Sequence, residues 1–212
     1  MSKNATGGHQ KQRTKKEKFY MNSLQGMSNS QLKLIKSLGL KKFRQKNNLF
    51  IAEGRKVIQE LAHSDWRVKS CWLLDKDSLN IPCDNIHEIS SKELVQASFL
   101  QNPHFGLALV EIPFYEPFTS VENIQLVVDG IKDPGNLGSI IRLCDWYGLS
   151  ELICTNDSVD AYNPKVVQAS MGSLFRVKVQ NLPVEGIRWQ STVYGATLSG
   201  QSTHQIEAIK SP

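Results

Sequence analysis

From residue 28 onward, apolar positions along the chain alternate between helical and strand spacing. Ser28, Asn29 and Ser30 offer a helix N-cap, and Leu32, Ile35 and Leu38 recur at helical spacing with Lys33 and Lys36 between them. Gly39 is placed to end that helix. A basic stretch from Lys41 to Lys46 leads into a short apolar strand, Leu49-Phe50-Ile51-Ala52, followed by Glu53-Gly54 and an amphipathic segment from Lys56 to Ala62. Strands are predicted at Val68 to Leu74, Ile86 to Ile89 and Phe105 to Val110, with a helix near Lys92 to Ala97. Together these elements predict a small α/β unit.

Two prolines in Ile112-Pro113-Phe114-Tyr115-Glu116-Pro117-Phe118 interrupt the pattern, which predicts a linker at 113–119. Beyond it come an apolar run from Ile124 to Val128, a helix from about Gly138 to Tyr147 and a strand at Glu151 to Cys154. A helix from Pro164, a strand at Val177 to Val179, a short helix near Glu185 to Arg188 and a strand at Thr192 to Ala196 complete the pattern. Near-continuous apolar strands joined by helices predict a parallel sheet covered on both faces, whose ligands sit beyond the carboxyl ends of the strands. The expected organisation is a flexible tail at 1–27, a small α/β domain at 28–112, the linker, and a parallel-sheet α/β domain at 120–212.

Composition narrows the class. With 40% apolar and 21% charged residues in 212, most of the chain reads as globular. No apolar run approaches the ~18 residues of a membrane span, and no secretory stretch opens the chain, so the cytoplasm is the expected location. Cys71, Cys83, Cys144 and Cys154 are widely spaced with no C-x-x-C pair, and the five histidines fall in unrelated segments, which predicts reduced thiols and no metal centre. Residues 1–50 hold 12 Lys/Arg against one acid, Glu17, for a net +11, while the remainder holds 13 against 19, for −6. A basic arm on a mildly acidic body is the layout of a polyanion binder, with a merely solubilising tail as the alternative.

The densest loop runs Asp129-Gly130-Ile131-Lys132-Asp133-Pro134-Gly135-Asn136-Leu137-Gly138-Ser139-Ile140-Ile141-Arg142, between a buried strand and a helix. Pro134-Gly135 predicts a tight turn, and Asn136 presents an amide beside the backbone N–H groups of the helix start. Arg142 is long enough to reach back to an anion at that mouth. The alternative is that the glycines only shape a connection and Arg142 pairs with Asp145. Gly135 and Gly138 give G-x-x-G, so no dinucleotide fingerprint is present. In the second dense stretch, Asp160 to Arg176, Asn163 is a natural N-cap and Pro164 a natural first helical residue. Ser170, Gly172 and Ser173 permit close backbone approach, either to another helix or to a ligand. A third stretch, Gly195 to Ser202, misses the phosphate-binding G-x-x-x-x-G-K-[ST] pattern at Gln201, which disfavours a nucleotide hydrolase. No G-x-S-x-G elbow points to a hydrolase either.

Leu126-Val127-Val128-Asp129 through Asp133-Pro134-Gly135-Asn136-Leu137-Gly138-Ser139-Ile140-Ile141-Arg142, with Asn163-Pro164-Lys165-Val166-Val167 and Ala169-Ser170-Met171-Gly172-Ser173 downstream, resemble the SpoU/TrmH family of RNA 2′-O-ribose methyltransferases. The resemblance covers roughly residues 120 to 200, and Phe50-Ile51-Ala52-Glu53-Gly54 looks like the entry to the small α/β RNA substrate-binding domain that many members carry. It implies a trefoil-knotted fold, a homodimer, and methyl transfer from S-adenosyl-L-methionine to a ribose 2′-hydroxyl of RNA, with rRNA preferred to tRNA. Its first motif maps onto Asn136 and Arg142 as catalytic residues. A guanidinium is a poor base, so Arg142 is expected to orient the flanking phosphate and stabilise developing alkoxide, with Asn136 holding Arg142 or the ribose. RNA contacts are expected at Lys41, Lys42, Arg44, Lys46 and Arg55.

The family pattern continues past Thr192 to Ala196 into a glycine/glutamate loop and a Ser-Leu-Asn turn, which build the knot, the cofactor pocket and much of the dimer contact. The sequence reads as stopping at Lys210-Ser211-Pro212, before those motifs, so they are expected to be absent after Pro212 and no residue is assigned to the cofactor. A non-catalytic RNA-binding protein that lacks the cofactor pocket is the alternative reading.

Overall fold

The computed structural model describes residues 26–116, 124–187, 192–200 and 202. Most of the expected tail, half of the expected linker, Arg188, and the last stretch up to Pro212, on which the expectation of missing cofactor motifs rests, lie outside them. The first half contains α1 (Asn29–Ser37), α2 (Lys41–Asn47), β1 (Leu49–Glu53), α3 (Arg55–Ala62), β2 (Val68–Leu73), β3 (Ile86–Glu88), α4 (Ser91–Ala97) and β4 (Gly106–Glu111). Its sheet has the order β1-β4-β2-β3, with β4 antiparallel to both neighbours and β2 parallel to β3. The second half contains β5 (Leu126–Val128), α5 (Pro134–Trp146), β6 (Glu151–Thr155), α6 (Pro164–Ser170) and β7 (Lys178–Leu182), with short 3-10 turns at Ser173–Phe175 and Val184–Gly186. Its three strands are all parallel, in the order β5-β6-β7.

Local chemistry explains most of these boundaries. Ser28 with Gln31, and Ser90 with Glu93, form reciprocal capping boxes that start α1 and α4. The Asp133 carboxylate accepts the N–H of Asn136, so α5 starts at Pro134, a full turn before the Gly138 that apolar spacing suggests. Asn163 and Pro164 start α6 in the same way. α2 has no apolar periodicity to reveal it. The side chain it buries is a charged one, Arg44, and it ends at Asn48 in the left-handed region at φ 53°.

The first sheet feeds two cores because side chains alternate across it. Ile51, Leu107 and Leu109 join Trp72, Ile35, Leu38 and Leu94 beneath α1 and α4. Phe50, Ala52, Ala108 and Val110 face the other way, into a core shared with Val128, Leu137, Ile141, Cys154, Val167 and Phe175 of the second half. Phe50, Trp66, Tyr162 and Phe175 pack edge-on or tilted across that junction, with ring centroids 5.2 to 6.3 Å apart.

Two polar ties reinforce the junction. Arg44, only 2% exposed, donates from Nε and Nη2 to Asp160 Oδ2 at 2.8 and 2.6 Å, and from Nη1 to the carbonyl of Leu38 at 2.7 Å. Arg176 reaches Glu60 at 2.7 Å from one guanidinium nitrogen and grips both carboxylate oxygens of Asp145 with the others.

Two expectations are corrected here. Arg44 is not an RNA contact, because its guanidinium is buried against Asp160. The β5-β6-β7 order with right-handed crossovers puts α5 and α6 on the same face of the second sheet, where a Cβ on Gly138 would stand 2.9 Å from the backbone of Ala169 and Ser170. The opposite face is crossed by the chain at Tyr115 and Glu116, whose carbonyl accepts from Lys178 and Gln180. Among the described residues, helices thus cover one face of the second sheet and the chain at Tyr115 and Glu116 meets the other. Thr192 to Ala196 forms no strand: these residues are exposed, and among the described residues no neighbouring strand pairs with them, which extended backbone needs and apolar spacing alone does not supply.

Replacing Arg44 by Ala strands the Asp160 carboxylate, and the unfolding free energy in a denaturant titration is expected to fall by about 3–5 kcal/mol. Replacing the exposed neighbour Lys42 by Ala is expected to change it by less than about 0.5 kcal/mol.

Candidate active site

Parallel strands end together, so the loops after β5 and β6 meet at the carboxyl edge of the second sheet. Gly130 takes φ +62°, and its N–H donates to the Thr155 hydroxyl at 3.0 Å. Ile131 N–H donates to Ser158 Oγ at 3.2 Å, and Val159 N–H returns a bond to the Ile131 carbonyl at 2.7 Å. The Thr155 hydroxyl donates in turn to Asp157 at 2.6 Å, and Lys132 binds the Asp157 carboxylate at 3.1 Å and its carbonyl. The Thr155 hydroxyl and the Lys132 ammonium hold the Asp157 carboxyl below the usual carboxylate range. This lattice fixes the loop that delivers the chain into α5.

Asn136 sits in the first turn of α5 with its side chain exposed, its backbone N–H satisfied by Asp133 at 2.8 Å. Arg142 is also exposed, and among the described residues its guanidinium has no hydrogen bond or ion pair. The two stand six residues apart, about 9 Å along the helix and about 120° around it. Both face solvent, but Arg142 rises two turns above the mouth and does not bond Asn136. The alternative pairing of Arg142 with Asp145 is absent: Arg176 occupies that carboxylate and pulls it below its ordinary range.

The small residues of the second stretch serve packing. Ser170 is fully buried and donates to the Val167 carbonyl at 2.8 Å. Gly172, at φ +94°, lies where a Cβ would stand 2.5 Å from the Glu60 side chain. Asn163 caps α6 through the N–H of Lys165 at 2.9 Å. Of the expected RNA contacts, Lys41, Lys42, Lys46 and Arg55 are exposed, and the Arg55 guanidinium lies 4.7 Å over the Phe105 ring.

Sequence reasoning missed a cleft of about 190 Å³ between the two halves, lined by Glu53, Phe99, Leu100, Pro164, Lys165, Gln168 and Ala169. Glu53 is 5% exposed. Burial raises its carboxyl above the usual range, against the opposing pull of the Ser98 hydroxyl, the Phe99 N–H and Lys36. An acidic residue closing an otherwise apolar strand was the available signal, but the α6 side chains that face it come from the far half of the sequence.

Among the described residues no group of three His, Cys, Asp or Glu is placed to hold a metal, no helix is long and apolar enough to cross a membrane, and all four cysteines are free thiols. At the carboxyl edge Asp133, Thr155, Asp157 and Ser158 are engaged in the bonds that hold the loops, so among the described residues none of these four is assigned to holding S-adenosylmethionine.

Residues 123–210 match the model of the SpoU rRNA Methylase family, and residues 29–108 match an MRM3-like substrate binding domain. The chain is 31% identical over 199 residues to the 23S rRNA (guanosine(2553)-2′-O)-methyltransferase of Bacillus subtilis, covering 87% of this chain and 77% of that protein. Human mitochondrial rRNA methyltransferase 3 is 27% identical over 70% of this chain, which spans 38% of its length. Among solved structures, a TrmH-family protein from Porphyromonas gingivalis superposes with a TM-score of 0.68 at 31% identity, covering 74% of this chain and 64% of that one. The SpoU methyltransferase of Streptomyces viridochromogenes in complex with AdoMet gives 0.64 at 25% identity, over 75% of this chain and 65% of that one. With a parallel α/β half whose helix α5 carries Asn136 in its first turn and Arg142 two turns on, and with relatives of this kind along most of its length, the chain belongs to the SpoU rRNA methylase family.

Proposed function

We propose that this chain serves the transfer of a methyl group from S-adenosylmethionine to a ribose 2′-hydroxyl of RNA, with rRNA favoured over tRNA and the cytoplasm as the place of action. The observation that carries the reading is the exposed, unpaired pair Asn136 and Arg142 on a helix whose entry loop is fixed by the Thr155 and Asp157 lattice. S-adenosylmethionine, when bound, supplies an electrophilic methyl carbon on a sulfonium; the chain's own residues supply position and charge. A guanidinium is a planar cationic donor, so Arg142 binds the phosphate beside the target ribose and stabilises negative charge as the 2′-hydroxyl gives up its proton to solvent. Asn136 orients the ribose through its amide.

The division of labour follows the two sheets, with RNA held by 28–112 and the reaction by 120–212. Lys41, Lys42, Lys46 and Arg55 meet the phosphate backbone, and the basic arm adds to them. A homodimer fits the apolar surface on α5, where Leu143, Trp146 and Tyr147 are 52%, 83% and 73% exposed.

Incubation with rRNA and methyl-labelled S-adenosylmethionine, followed by digestion and nucleoside analysis, tests the reading. Arg142→Ala is expected to lower turnover by at least about 10²-fold while RNA affinity stays within a few fold, and unchanged turnover would overturn the role of Arg142. RNA binding with no methyl transfer by the wild type would favour the non-catalytic alternative. In salt titrations, the triple change of Lys41, Lys42 and Lys46 to Ala is expected to flatten the slope of log affinity against log salt by about one for each lysine on a phosphate.

A further inference from the structure

The cleft between β1 and α6 has walls of two kinds. Phe99 and Leu100 come from the first half and Pro164 and Ala169 from the second, so two apolar sides face each other across the junction. The polar groups between them are the Glu53 carboxylate and the Gln168 amide. Glu53 Oε1 accepts the Phe99 N–H at 2.9 Å and Oε2 accepts the Ser98 hydroxyl, which leaves each carboxylate oxygen a second lone pair. Gln168 Oε1 is buried and has no hydrogen-bond partner. An acceptor so placed costs free energy unless something donates to it. Gly54, at φ +85°, keeps the space beside that amide open: a Cβ there would stand 3.9 Å from both Gln168 Oε1 and Leu100 Cδ1. Lys165 is exposed at the mouth, and Arg55 follows Gly54.

An apolar cleft with acceptor oxygens in its wall and cations outside matches an unstacked nucleobase on a phosphate chain, the form in which single-stranded RNA is read. Among the four bases, guanine presents two adjacent donors on one edge, the N1–H and the 2-amino group. Adenine and cytosine present one amino group beside an acceptor, and uracil one imino N–H between two acceptors. Resting on the proposed RNA substrate, we infer that this cleft receives one unpaired guanine, its N1–H and 2-amino donors on Glu53 and Gln168 and its faces between Phe99 with Leu100 and Pro164 with Ala169.

The test uses the full chain without methyl donor and labelled single-stranded RNA nonamers of uridine carrying a single central guanosine, inosine, adenosine or uridine, followed by fluorescence anisotropy. The guanosine oligomer is expected to bind about tenfold more tightly than the others, inosine being weaker because it lacks the 2-amino donor. Gln168→Leu is expected to bring all four within about twofold and Gln168→Glu to retain the preference because it keeps an acceptor, both with thermal unfolding close to wild type, and Glu53→Gln to weaken the preference. Equal binding of the four oligomers by the wild type, no binding of any, or a preference unmoved by Gln168→Leu would overturn the inference. Guanosine preference without methyl transfer upholds the cleft and removes the catalytic reading; methyl transfer without preference does the reverse.

Discussion

Arg44 carries a full positive charge at a position with 2% exposure, which is tolerable only because Asp160 and the Leu38 carbonyl take up its donors. The pair joins a helix of the first half to the loop that leads into α6. Everything between the halves depends on that registration: the packing of Phe50 and Trp66 on Tyr162, the grip of Arg176 on Glu60, and the cleft with Glu53 on one side and Gln168 on the other. A purely apolar junction has no preferred rotation; a bidentate guanidinium to carboxylate contact does.

The second constraint is the close approach of α5 and α6. Gly138 and Ala169 bring two parallel helices together on one face of a three-stranded sheet, and the lattice of Thr155, Asp157 and Ser158 ties the loops that precede them. Catalysis by positioning needs such a base, since an exposed Asn136 and Arg142 orient nothing unless their helix is held still. The polar groups with the richest bonding at this edge are thus structural, and those left free are the ones assigned to RNA.

Much of this was legible from local pattern. Capping residues Ser28, Ser90 and Asn163 mark helix starts because their side chains act within three residues, and the apolar runs at β1, β2, β4 and β6 fall where expected. The loop with Asn136 and Arg142 was legible because its residues are contiguous. Packing for Ser170 and Gly172 was one of two open readings, and only their neighbours Val167 and Glu60 decide between them.

By itself, then, the sequence determined the alternation of elements, the parallel α/β character of the second half, the family resemblance and the site loop, all of which depend on short-range spacing. Tertiary structure decided which charges are free. In a basic run of similar residues, Arg44 turns inward to Asp160, 116 positions away, while Lys41, Lys42 and Lys46 stay in water. It also decided that Asp145 belongs to Arg176 rather than to Arg142, that both helices share one face of the second sheet, and that Thr192 to Ala196 has no strand beside it among the described residues. In each case the partner is remote in sequence, and burial, which selects it, exists only once the two halves have closed on each other.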